Sequence, residues 1–412
     1  MYSAARRFRI WPIVAVALAL TWLLVRGGSA HWILLRVAIA ALVAGGAVRV
    51  LLARSRPRLQ SAVVLAMGLL ALGVGVGIAP PWLTKTRVSV TSIAGAVLVV
   101  GGVVLLVLGY IDVASRLRLW AKVLSGFGLV LLVAFTALTL AVAVAATNVP
   151  PTEVGETPAL RGLAYDDVKL VTEDGFVLTA WYLASQNGAA VVLLHGAGST
   201  RSSVLDEMEV LAANGYGVLA FDARGHGDSE GRAMDFGWLG NRDTLPAIQW
   251  LADRPDVEND RIALVGMSMG GEQAIGAAAF DRRVDAVVAE GVTARTAADK
   301  AWLPHVYGVQ GWVQRLVDKV RFGITDVLTD AEPPIGLRDA ATRIAPRHLL
   351  LITAGNAIDE RNAATYIQSG SPGTVEVWEV PDAGHTQGLE VAPFEWEEQV
   401  IGFLDEVLLV GQ

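Results

Sequence analysis

A serine with a glycine two positions to either side, Gly266-Met267-Ser268-Met269-Gly270, follows the aliphatic run Ile262-Ala263-Leu264-Val265 and precedes an alanine-rich stretch. A hydroxyl carried on a sharp strand-to-helix turn stands clear of its sheet, and the residues two positions away must be small because the turn presses them against neighbouring backbone. The helix that follows points its unpaired N–H groups at any anion forming beside Ser268. In a chain with 43 glycines the five-residue pattern is weak by itself, so the flanking strand and helix carry the assignment. A second glycine-rich turn, His195-Gly196-Ala197-Gly198, closes the run Val191-Val192-Leu193-Leu194. Backbone there can approach a substrate closely. The N–H groups of Ala197 and Met269 would then form a pair of donors aimed at a developing oxyanion.

Such groups need a rigid platform, and the second part of the chain supplies its elements. Residues 167–172 and 177–183 read as a hairpin across Asp174-Gly175, and 190–194, 218–221, 261–265, 284–289, 348–353 and 374–380 read as further strands. Several are continuous aliphatic runs, as parallel strands covered on both faces require. Helical patterns lie between them, notably 269–280 and 393–409. This alternation predicts an α/β fold with a doubly wound, mostly parallel sheet.

Four features in chain order make residues 160–412 resemble an α/β-hydrolase domain: His195-Gly196-Ala197-Gly198, the Asp222-Ala223-Arg224-Gly225-His226-Gly227-Asp228-Ser229 turn, Gly266 to Gly270, and Ala383-Gly384-His385 after the last strand. The resemblance implies a nucleophile at Ser268, a base at His385 and an acid at Asp359, with Arg224 and His226 holding loop geometry. A serine needs such a base, and the base an orienting group. From Gly355 to Asp359 the spacing is one residue longer than the family often shows, so the adjacent Glu360, and Glu290 at the end of an earlier strand, stand as alternative acids. Residues 293–346 form an insertion containing Trp302, Tyr307, Trp312, Val313, Leu316, Val317 and Val320. It reads as a cap over the nucleophile, as a core helix, or as a helix dipping into the outer leaflet so that lipid substrates reach Ser268.

The first part of the chain is a different material. The whole is 53% hydrophobic and 18% charged, but the first 150 residues hold 14 of the 33 basic and one of the 40 acidic residues, so the net −7 divides into +13 and −20. Apolar runs at 10–25, 32–52, 61–83, 88–111 and 119–146 predict an all-α bundle of about five transmembrane helices over residues 1–146, the first of them short for a span. Arginines clustered between such runs mark a membrane protein and exclude nucleic acid as a main partner. Arg6, Arg7, Arg9, Arg54, Arg56, Arg58, Arg116, Arg118 and Lys122 outnumber Arg26, Lys85 and Arg87 on the alternate connections, which places the N-terminus inside and the C-terminal domain outside the cytoplasm. Gly73 and Gly77 suggest a helix-packing face. Residues 147–159, with three prolines, read as a tether.

These readings converge on a multi-pass cell-membrane protein with an extracytoplasmic serine hydrolase domain, cleaving a carboxylic ester or related acyl bond. The expected partners are the lipid bilayer and a small ester, lipid or acylated envelope substrate. No metal or organic cofactor is implied. A serine peptidase or acyltransferase on the same residues, and a catalytically degenerate membrane scaffold, are the alternative readings.

Overall fold

The computed structural model describes residues 11–21, 32–52, 57–85, 88–150, 152–232, 235–258 and 261–410. Most of the arginines that bear on orientation, namely Arg6, Arg7, Arg9, Arg26, Arg54, Arg56 and Arg87, lie outside the described residues, as does the end of the first apolar run. The chain divides into two units. One comprises Met1–Pro150 together with Leu316–Ala331, the other Pro151–Arg315 together with Glu332–Gln412.

In the first unit four helices are long and apolar enough to cross a membrane: Ile33–Val50, Leu59–Lys85, Val90–Ala114 and Leu119–Thr147. A shorter apolar helix, Trp11–Thr21, precedes them. Without a hydrophobic force between helices in lipid, close backbone approach at small residues holds such bundles together. Gly68 and Gly75 on the second span face Gly95, Gly102 and Gly109 on the third, in both cases at a seven-residue repeat. A methyl group added at Gly75 would lie 2.6 Å from the Val99 nitrogen, and one at Gly102 2.7 Å from the Leu72 nitrogen. Gly73 and Gly77 do form a packing face, but toward the fourth span, where a methyl on Gly77 would meet the Ala141 carbonyl oxygen at 2.5 Å. The fourth span widens into a π-turn at Ala137–Ala141.

The second unit holds an eight-stranded sheet. Its strands are β1 (Asp166–Val171), β2 (Val177–Leu183), β3 (Ala190–Leu194), β4 (Gly217–Phe221), β5 (Ile262–Met267), β6 (Val284–Glu290), β7 (His348–Ala354) and β8 (Val375–Val380). They lie in the order β1-β2-β4-β3-β5-β6-β7-β8, with β1 and β2 antiparallel and all pairs from β4 to β8 parallel. Side chains alternate between two cores, as strand geometry demands. Val192 and Leu194 pack with Ala247, Ile248, Ala274 and Ile275 from helices Gly240–Ala252 and Met269–Ala278. Val191 and Leu193 pack with Met208, Leu211, Trp396 and Val400 from helices Leu205–Ala213 and Pro393–Asp405. Both faces are covered, hence the aliphatic runs.

Two boundaries differ from the sequence reading. Residues 152–158 are no free tether: Val154 joins the second core, Thr152 donates to the Gly198 carbonyl at 3.0 Å, and Ser202 donates to that of Glu156 at 2.8 Å. Nor do residues 293–346 form one cap. Leu337–Ile344 buries Leu337, Ala340, Ala341 and Ile344 in the first core, and Leu316–Ala331 belongs with the spans.

Candidate active site

Strand β3 has β4 on one side and β5 on the other, so the order of connection reverses there, and a crevice opens beyond the carboxyl ends of the strands at such a point. The turn after β3 begins at His195 and the turn after β5 holds Ser268. Ser268 itself has φ 53° and ψ −119°, a left-handed conformation that costs a non-glycine residue about 1–3 kcal/mol and persists only where the surroundings enforce it. Enforcement is visible in the glycines. A methyl on Gly266 would strike the Gly270 carbonyl, one on Gly270 would strike the Leu194 and His195 carbonyl oxygens, and the Ser268 N–H is held by the Glu290 carbonyl at 2.7 Å.

His385 follows β8 and reaches back across the crevice. Its Nε2 lies 2.9 Å from the Ser268 Oγ, and its Nδ1 lies 2.6 Å from Glu360 Oε1. Glu360 is 2% exposed, and its other oxygen accepts the Ala354 N–H at 2.9 Å, so both carboxylate oxygens are fixed. The hydrogen bond that His385 donates to Glu360 raises the His385 pKa above the ordinary histidine value against the opposing effect of burial.

The expected acid, Asp359, is therefore not the one against His385. The helix Ile358–Gln368 begins just before it, and successive helical residues point about 100° apart, so Asp359 and Glu360 cannot both face the imidazole. Asp359 turns away and accepts the Tyr307 hydroxyl at 2.7 Å. The longer spacing after Gly355 carries the chain past the expected position by one residue. Glu290, the other alternative, serves the base from behind: it is 3% exposed and accepts the Gly388 N–H at 2.8 Å and the Trp396 indole N–H at 3.0 Å, tying down the chain just after His385. Burial pushes its pKa up.

Met269 opens the helix after Ser268, where backbone N–H groups have no intrahelical acceptor. Ala197 sits exposed in a turn that lies against the nucleophile, since a methyl on Gly196 would stand 3.5 Å from the Ser268 Cβ. Two buried histidines, not singled out together by the sequence, shape that turn. His195 Nε2 accepts the Ala223 N–H at 2.9 Å, while His226 Nε2 accepts the Gly198 N–H at 3.1 Å. Each stands on one loop and holds the other. Their Nδ1 atoms face the carbonyls of Gly196 at 2.8 Å and Arg224 at 3.0 Å, which fixes both rings as neutral Nδ1–H tautomers. Burial first, and then the neighbouring His226, drive the His195 pKa down to about 3. Arg224 secures the second loop through Asp174 at 2.7 Å and Asp243 at 2.6 Å.

With this geometry in place, comparison with known proteins is informative. Residues 185–340 match the family described as serine aminopeptidase, S33. A thiohydrolase of Aspergillus aculeatus is 37% identical over 128 residues, 30% of this chain and 40% of its own length. A polyketide transferase of a Penicillium species is 34% identical over 131 residues, 31% of this chain and 45% of its own. The chain thus spans less than half the length of these curated relatives. Among solved structures, an esterase of Pyrococcus furiosus superposes with a TM-score of 0.50 at 26% identity, covering 63% of this chain and 98% of that one.

Proposed function

We propose that the protein, whose second unit has the α/β-hydrolase fold, is a membrane-anchored serine hydrolase cleaving a carboxylic ester or related acyl bond. The observation that carries the reading is the unbroken relay Ser268 Oγ–His385 Nε2 at 2.9 Å and His385 Nδ1–Glu360 Oε1 at 2.6 Å. His385 takes the hydroxyl proton as Ser268 attacks the carbonyl carbon. The N–H groups of Met269 and Ala197 hold the oxyanion. Collapse expels the leaving group with that proton, and water, deprotonated by the same imidazole, releases the acid from the acyl-enzyme. Glu360 orients the imidazole and stabilises the imidazolium in both halves.

Transfer to an acceptor other than water uses the same acyl-enzyme, and it is the second reading, favoured by the similarity to the polyketide transferase. The four apolar helices support anchoring in the membrane, with the hydrolase domain outside the cytoplasm by the arginine asymmetry. The deciding experiment is fluorophosphonate labelling of the full chain in membranes. Labelling of the wild type and none of Ser268→Ala is expected; equal labelling of the two would end the hydrolase reading.

A further inference from the structure

The helix Leu303–Leu328, interrupted by a non-helical Gly308, is built inside out for an aqueous protein. From Val309 onward its apolar side chains fall on one arc: Val309, Trp312, Val313, Leu316, Val320, Ile324 and Val327 recur at helical spacing. That arc is uncovered over its first two turns and half-buried beyond them. Val309 is 80% exposed, Trp312 61%, Val313 58% and Leu316 57%. The opposite arc carries Asp318, Phe322, Thr325 and Thr329, all buried. In water a helix turns its polar face out and its apolar face in; the reverse is what hydrocarbon selects.

A second observation, within the membrane unit, fixes depth. Arg321, paired with Asp318 at 3.0 Å, donates from Nε to the Leu138 carbonyl at 3.1 Å. Leu138 lies in the π-turn of the fourth span, where the helical ladder is wider and a carbonyl is open to an outside donor. It stands nine residues before Thr147, the end of that span, or about 13 Å along the axis at 1.5 Å per residue. Arg321 thus bonds a carbonyl well inside a membrane-spanning segment, by a route that leaves its charge against protein and not lipid.

We propose that residues 309–328 form a re-entrant membrane helix, with Val309, Trp312, Val313 and Leu316 in contact with lipid acyl chains and the Asp318–Arg321–Thr325 face against the spans. The inference rests on the membrane reading of those spans. It gives the chain an anchor beyond its first 150 residues.

The chain has no cysteine, so single reporters can be introduced without background. Val309→Cys, Val313→Cys and Leu316→Cys would each carry a nitrobenzoxadiazole label in the full chain, reconstituted in phosphatidylcholine–phosphatidylglycerol vesicles. Leu131→Cys on the fourth span and Glu173→Cys on the hydrolase domain are the controls. Quenching by acyl-chain doxyl lipid several-fold greater than at Glu173→Cys, with protection from iodide, is expected at all three positions. Iodide quenching equal to that at Glu173→Cys overturns the proposal. Protection from both quenchers also overturns it, because a protein surface or second copy would then cover the face. If Leu131→Cys is not quenched by doxyl lipid, the membrane reading fails and takes the re-entrant helix with it. If Leu131→Cys is quenched and the three helix positions are not, only the re-entrant helix fails.

Discussion

Replacing Glu360 by Gln removes the charge and one of two acceptors, because the single amide oxygen can keep the Ala354 N–H or the His385 Nδ1–H but not both. In the transition state His385 is an imidazolium beside a carboxylate that is 2% exposed, with 2.6 Å between the bonded atoms. Two unit charges about 4 Å apart at an effective dielectric of about 20 attract by about 4 kcal/mol. At 1.36 kcal/mol per decade this is roughly a 10³-fold loss of kcat/KM. Asp359→Asn alters the hydrogen bond with Tyr307 and should cost less than about 5-fold, since such a hydrogen bond contributes about 1 kcal/mol. The assay is p-nitrophenyl ester hydrolysis by the full chain in vesicles, across pH. The base must be neutral to act, so activity rises with pH through the His385 pKa, which Glu360 holds above the ordinary value. Glu360→Gln should therefore shift the acid limb to lower pH while lowering the plateau. Equal losses in the two variants, or an acid limb that moves only in Asp359→Asn, would refute the assignment of Glu360.

Other consequences can be checked separately. His195 is neutral when folded, with a pKa of about 3, and ordinary when unfolded. The unfolded state binds the extra proton between those values, so this contribution is whole above about pH 6.5 and is lost as pH falls toward 3; denaturant titrations of wild type and His195→Asn should converge on acidification. His226→Phe leaves the Gly198 N–H without its acceptor, and a loss of about 1–3 kcal/mol in stability with a lower kcat is expected in thermal and kinetic measurements. Gly102→Leu would force apart the second and third spans and should lower the unfolding midpoint in mild detergent, whereas Gly128→Leu, with open space around it, should not. Digestion of the hydrolase domain by external protease in spheroplasts tests its placement; cleavage only after lysis would reverse it.

The sheet was legible because its strands are buried on both faces and so read as unbroken aliphatic runs: the predicted and observed edges of β2 and β3 coincide. Ser268 and His385 were legible because each sits where a strand ends in small residues. The acid was not. Counting along the chain locates the turn after β7 to within one residue, but a helix begins there, and one residue is about 100° of rotation. The helix after residue 308 was legible in the spacing of Trp312, Val313, Leu316, Val317 and Val320, but spacing alone does not say whether a core, a site or lipid covers its apolar stripe. The prolines at 150, 151 and 158 suggested slack, while Val154 between them is an ordinary core residue. The paired histidines draw on loops 28 residues apart, and nothing local in either loop announces the other.

The interleaving of the two units bears on how the chain is made. The first unit closes only with Leu316–Ala331, yet by then β1 to β6 of the second have already been synthesised, and β7, Glu360, β8 and His385 are still to come. Neither unit can finish folding on the nascent chain before the other has begun. A polypeptide starting at residue 152 would carry an orphaned segment of the first unit in its middle and would seek detergent, while severing the chain at residue 150 would leave the enzyme half still held by its own interior.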